Sequence, residues 1–298
     1  MLSGMEVGPP ILKVKNIDKV LEFYEKRLGL QVNRKYQNEN DRSVYEIGFK
    51  KTYSDKPLLM LQYDPNAKSP SRHSAGLYHF AILVRDRKSL ASTYLALRNS
   101  GVNYEGFADH LVSESLYMRD PEKNGLEIYR DRPSREWPID DAGHIMMDTL
   151  PLDLDSLLDE IDVQERKNAQ AFPTGARIGH MHLRVTNLER SVKFYHEKLG
   201  LDITLNWGSM GAAFLSACGY HHHIGINTWH SLDGEPHSDG EAGLENFAIT
   251  IPDRSSFNTI KSIMLYDSTS EQQKKHKSDK DQFLVFDPDG IQIVIKTE

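Results

Sequence analysis

Between His110 and Glu127 the sequence HLVSESLYMRDPEKNGLE sets a His, a Tyr and a Glu at fixed offsets: His110, Tyr117 and Glu127. An imidazole and a carboxylate can ligate a metal or move a proton, and a phenol can donate or accept a hydrogen bond. Two more stretches carry the same chemistry. GHMHLRV places His180 and His182 two residues apart, and GYHHHIGIN places His221, His222 and His223 side by side. On a strand, side chains two apart share a face, so His180 and His182 point the same way. Three adjacent His suit a surface tract, a second metal site or a catalytic group. Taken together these residues support a metal site with acid/base groups beside it.

Groups so far apart in sequence need a scaffold to converge them. Around His110–Glu127 the turn residues Asp120-Pro121 and Asn124-Gly125 are flanked by strand-like Leu116-Tyr117 and Leu126–Tyr129, which predicts a hairpin. Such a hairpin is ordinary by itself, and it gains meaning from an internal duplication. ILKVKNIDKVLEFYEKRLGL (11–30) matches HLRVTNLERSVKFYHEKLGL (182–201); GLYHFAILVRDRKS from Gly76 matches GLENFAITIPDRSS from Gly243; DPEKNGLEI from Asp120 matches DPDGIQI from Asp287. Two different modules therefore occur in order and then occur again.

Each module reads as an alternating strand, a helix opened by Asn or Asp, and three further short strands. Gly29 and Gly200 stand where a left-handed residue would end the first and third helices. The fold class expected is α+β: four βαβββ modules in two domains, paired into cup-shaped half-barrels. The N-terminal domain spans 1–130, a linker 131–176, and the C-terminal domain 177–298. Within the linker, LDLDSLLDEIDVQERKN predicts one acidic amphipathic helix.

Composition narrows the class. The 298 residues are 39% hydrophobic and 27% charged, which fits a globular chain with room for two domains. A net charge of −7 argues against a nucleic-acid partner, and the basic run Lys274–Lys277 reads as a solvated loop. No apolar run is long enough for a membrane span, and no N-terminal targeting segment is evident. One cysteine, Cys218 in FLSAC, excludes a disulfide framework and reads as a small buried residue. These features together predict a cytoplasmic protein.

The repeated βαβββ modules resemble the vicinal oxygen chelate superfamily, the fold of glyoxalases and extradiol dioxygenases, over most of the chain apart from the linker. Within it, His110, Leu116-Tyr117, Asp120-Pro121 and Glu127 are similar to the extradiol ring-cleavage signature, most closely that of two-domain bacterial catechol 2,3-dioxygenases. Lys123 departs from that pattern, which usually has Gly or Pro there. The resemblance implies Fe(II), with Mn(II) as the alternative, held by two His and one Glu. Its Glu comes from the last strand of a module and one His from the first, which here are Glu127 and His79. Module four has Asn246 and Gln292 at the matching positions, neutral amides that make poor ligands. The second His opens the first strand of a partner module. Module one offers Pro9 there and module three offers His180, with His182 as runner-up. The implied pairing of module two with module three suits one chain or two chains of a homo-oligomer.

The same resemblance selects His222, with His223 as its rival, as an acid/base group beside bound oxygen. It gives His110 and Tyr117 the task of orienting the substrate. The implied partners are a small aromatic diol and O2, the reaction is extradiol cleavage, and the product is a hydroxymuconic semialdehyde. Two rivals share the fold. A glyoxalase-like lyase or isomerase would want a fourth ligand, a Glu ending the partner module, where module three has His222–Asn227. A metal-free binding or resistance protein would have no use for His79, His180 and Glu127 together.

Overall fold

The computed structural model describes residues 2–49, 56–266 and 279–297. Module one comprises β1 (Glu6–Val14), α1 (Ile17–Glu22), β2 (Gln31–Gln37), β3 (Ser43–Gly48) and β4 (Leu59–Tyr63). Module two comprises β5 (Gly76–Val84), α2 (Arg87–Asn99), β6 (Tyr104–Asp109), β7 (Ser113–Arg119) and β8 (Gly125–Asp131). The linker holds β9 (Leu150–Pro151), α3 (Leu154–Leu158) and α4 (Val163–Lys167). Module three comprises β10 (Ala176–Arg184), α5 (Leu188–Lys193), β11 (Asp202–Trp207), β12 (Ala212–Ser216) and β13 (Ile224–Asn227). Module four shows β14 (Gly243–Thr250), α6 (Arg254–Tyr266), β15 (Gln282–Phe286) and β16 (Gln292–Lys296). The run Lys274–Lys277 lies outside the described residues. The α+β class and the repeated modules are those expected.

The chain divides into two units. The first comprises Met1–Lys13, Ala67–Tyr78 and His180–Glu298. In it β14 pairs with β1 antiparallel and with β16 parallel, and β15 joins β16. Also in it, β13 lies between β10 (parallel) and β12 (antiparallel), with β11 on β12. The second unit comprises Val14–Asn66 and His79–Gly179. There β3 lies between β2 and β4, and β8 lies between β5 (parallel) and β7 (antiparallel), with β6 and β9 beyond. Strands β5 and β10 each run through both units.

Local sequence explains the elements. Asn16 and Asn187 cap α1 and α5 by accepting from the amides of Lys19 and Arg190. Gly29 and Gly200 take φ of 72° and 76°, the left-handed turn that ends each segment. Between cap and glycine the sequence reading missed a feature: both helices widen into a π turn, Phe23–Arg27 and Phe194–Lys198. In the second unit the alternate apolar residues Phe80 and Ile82 of β5 and Leu126 and Ile128 of β8 are fully buried. Each such burial contributes about 1.5–3 kcal/mol, which leaves the opposite sheet face available for polar side chains.

Two expectations are corrected. The acidic linker forms two short helices, because Asp162 leaves helical geometry to cap α4 in a capping box with Glu165. Cys218 is exposed, in a turn with φ of 55°, and is not a core residue. The linker is nonetheless anchored. Arg87, at the start of α2, donates to the Ser156 carbonyl and to buried Glu114, which also pairs with Arg130 and Arg132. No helix among the described residues is long and apolar enough to cross a membrane.

Candidate metal centre

The second unit brings Glu127, His79 and Tyr117 onto adjoining strands, with His110 in the turn after β6. Glu127, on β8, is register partner of Tyr117 on β7, and β5 with His79 flanks β8 on the other side. Glu127 and His79 are buried, with 2.9 Å between Oε2 and Nε2. Ser115 donates to the other carboxylate oxygen, Oε1, at 2.5 Å. Sequence reasoning did not single out Ser115, although it alternates onto the Tyr117 face of β7 and so could have been found. A carboxylate held through one oxygen and aimed through the other is oriented for ligation. The Tyr117 ring lies 5.7 Å from that of His79, and its hydroxyl is 2.7 Å from His110 Nε2. His110 Nδ1 donates to the Asp148 carbonyl at 2.7 Å.

Within the first unit, His180 is buried on β10 and its ring lies 4.1 Å from that of His222. Gly179, the last residue of the second unit, meets Tyr129 of that same unit: a Cβ added at Gly179 would come within 1.9 Å of the Tyr129 hydroxyl. The Gly of GHMHLRV is thus required by a close approach and not by backbone conformation. His221, His222 and His223 precede β13, so period-two alternation does not govern them. His221 and His222 are both buried and share a hydrogen bond between their Nδ1 atoms at 2.8 Å. One of the two Nδ1 atoms carries the proton and the other accepts it. His223 turns to Ser216, with Nδ1 2.9 Å from its hydroxyl and accepting from the Ala217 amide. Phe214 packs edge-on to His222 at 5.0 Å.

Among the described residues, one group of three His, Cys, Asp or Glu side chains could hold a metal: His79, Glu127 and His180, with ligand atoms all within 4.8 Å of one another. His182 is not among them; its Nε2 accepts from the Asn227 amide at 3.0 Å. Two imidazoles and one carboxylate, each on a different strand, fit the donor set of a facial triad with open positions, suited to Fe(II) or Mn(II). In module four the equivalent residues do other work. Asn246 and Gln292 are register partners, and Gln292 donates to Asp239 at 2.9 Å. Nearby, the buried ammonium of Lys13 pairs with Glu245 at 2.5 Å and donates to the Asp239 carbonyl.

Two buried Tyr–Asp pairs recur in the repeat. Tyr24 donates to Asp120 at 3.3 Å and Tyr195 to Asp287 at 3.1 Å. Burial raises both carboxyls, Asp120 to about 6 and Asp287 to about 7, and the Asp289 charge adds to the second shift.

Known proteins share the sequence and the fold of this chain. A catechol-2,3-dioxygenase of Bacillus subtilis (strain 168) is 36% identical over 255 residues, 85% of either chain. A putative dioxygenase of Bacillus subtilis subsp. subtilis str. 168 shares the fold at 13% identity, with a TM-score of 0.62 over 98% of this chain and 84% of its own. Glyoxalase I from Zea mays does so at 17% identity, with a TM-score of 0.56 over 99% and 92%. The model of the Glyoxalase/Bleomycin resistance protein/Dioxygenase superfamily matches residues 7–128 and 177–295, so the chain belongs to that superfamily.

Proposed function

We propose that the protein is a metal-dependent extradiol dioxygenase that opens the ring of catechol or a substituted catechol with O2, giving a 2-hydroxymuconic semialdehyde-type product. The observation that carries this reading is the convergence of buried His79, Glu127 and His180 within 4.8 Å, with no fourth ligand-type side chain in that group among the described residues. The 36% identity to a protein named catechol-2,3-dioxygenase supports the substrate class.

In this reading His79, His180 and Glu127 hold one divalent ion, Fe(II) or Mn(II). When bound, the ion supplies adjacent open positions and makes a hydroxyl placed on it more acidic. The remaining work belongs to the chain. Ser115 keeps Glu127 in one orientation through Oε1. Burial of all three donors excludes water and strengthens each polar contact. His222 has its Nδ1 engaged by His221; with the shared proton on His222 Nδ1, its Nε2 is the atom that takes and returns a substrate proton. Tyr117, backed by His110, orients a substrate oxygen.

The test is anaerobic loading with Fe(II) followed by catechol and air. Stoichiometric O2 uptake with a yellow ring-opened product is expected. Iron-loaded protein that binds catechol and consumes no O2 would overturn the reading.

A further inference from the structure

The linker breaks the repeat, yet it reaches the candidate site. Its short strand β9 pairs with β6, Ala108 opposite Pro151 and Asp109 opposite Leu150. This places the Asp148 carbonyl 2.7 Å from His110 Nδ1. His110 itself follows β6 at a tight turn: its amide bonds the Ser113 carbonyl, and Leu111 takes φ of 69° with its amide on Asp109. The imidazole is therefore held from both ends, by a carbonyl at Nδ1 and a phenol at Nε2.

A backbone carbonyl can only accept. His110 Nδ1 must carry the proton, and in the neutral ring Nε2 must then be the acceptor. The 2.7 Å contact at Nε2 is consequently a bond donated by the Tyr117 hydroxyl. We infer that the linker strand is a working part of the site: through the Asp148 carbonyl it fixes His110 as the Nδ1–H tautomer and so fixes the direction of the Tyr117 hydroxyl. Tyr117 commits its proton to His110, and its oxygen accepts from a substrate hydroxyl. Without the strand, His110 could protonate at Nε2 and turn Tyr117 into an acceptor from His110, leaving the phenol to donate. His110 is here a positioning residue, acting through Tyr117. The substrate half of this inference rests on the proposed ring-cleavage reading; the tautomer half does not.

The test uses the full-length, metal-free chain labelled with 15N-histidine, with His110 assigned by loss of its signals in His110→Gln. Long-range proton–nitrogen spectra should show His110 protonated at Nδ1; protonation at Nε2 would overturn the inference. Replacing Thr149 by its α-hydroxy acid converts the Asp148 carbonyl to an ester, a weaker acceptor. The ratio of Nδ1–H to Nε2–H should then fall roughly three- to tenfold, the range of one net hydrogen bond. An unchanged ratio would show that the linker does not set the tautomer. In Tyr117→Phe the Nδ1–H form should persist, because the carbonyl and not the phenol selects it; a switch would contradict this. In iron-loaded Tyr117→Phe with normal metal content, anaerobic catechol affinity should drop about tenfold. Unchanged affinity would remove the acceptor role while leaving the ring-cleavage reading to its own assay.

Discussion

Ser115 holds one oxygen of Glu127 at 2.5 Å while the other faces His79. Removing that hydroxyl frees the carboxylate to rotate. In Ser115→Ala, metal affinity is expected to weaken about 10- to 100-fold, the usual cost of losing a group that orients a ligand. Ser115→Thr, which keeps the hydroxyl, should recover most of it in a chelator competition. His222→Phe keeps a flat ring against Phe214 and cannot move a proton. Turnover should fall about 100- to 10,000-fold with iron content unchanged; loss of iron would make His222 a ligand. Much of this residue-scale picture was legible. The family resemblance singled out Glu127 and His79, and the repeat alignment added His180 as the counterpart of His79; their ligand atoms lie within 4.8 Å of one another. The His run was not legible in detail, because the backbone before β13 is irregular and no simple period assigns its side chains to a face. Ser115 was passed over because a serine on a strand carries no signal until its carboxylate partner is located.

Strand β10 shows how an element sets the site. Gly179 allows the Tyr129 hydroxyl to lie against the backbone one residue before His180. A methyl group there would overlap the phenol at 1.9 Å, so β10 or Tyr129 must shift. Gly179→Ala should destabilise the fold by about 1–3 kcal/mol, as overpacking does, and should lower metal occupancy. In Gly179→Ala/Tyr129→Phe both effects should shrink. Chemical denaturation and metal analysis of the two variants decide the matter, and wild-type behaviour of Gly179→Ala would contradict it. At this scale the caps, Asn16 and Asn187, and the stop glycines were readable because each acts within a few residues. The π turns were not, since they differ from α geometry by one hydrogen-bond step. The break between α3 and α4 could have been read: Asp162 followed by Glu165 is a capping box inside the acidic run.

Across the whole molecule, the paired Tyr24–Asp120 and Tyr195–Asp287 contacts join residues 96 and 92 positions apart. Their residues stood out as repeated FY and DP motifs, but a contact over that separation cannot be read from local pattern. They give stability a pH dependence. A buried carboxyl raised to about 7, as Asp287 is, binds a proton that the unfolded chain has already released above its ordinary pKa. Folding is therefore favoured on the acid side, and stability falls as pH rises from about 4 to about 7, then levels. Asp287→Asn keeps an acceptor for the Asp289 and Ile291 amides, turns Tyr195 from donor to acceptor and removes that part of the slope; denaturant midpoints across the window test it, and an unaltered slope would refute it. Module four supplies a control. With Gln292 on Asp239 and a buried Lys13 ammonium nearby, Asn246→Ala should leave turnover nearly unchanged.

The claim on which the rest depends is that His79, Glu127 and His180 hold the metal. It is tested most directly by counting iron per chain after anaerobic Fe(II) loading and desalting, in the native protein and in Glu127→Ala. One equivalent in the native chain and close to none in the variant is the expected result. A full equivalent retained by Glu127→Ala would mean that the metal, if it serves the reaction, is held somewhere else.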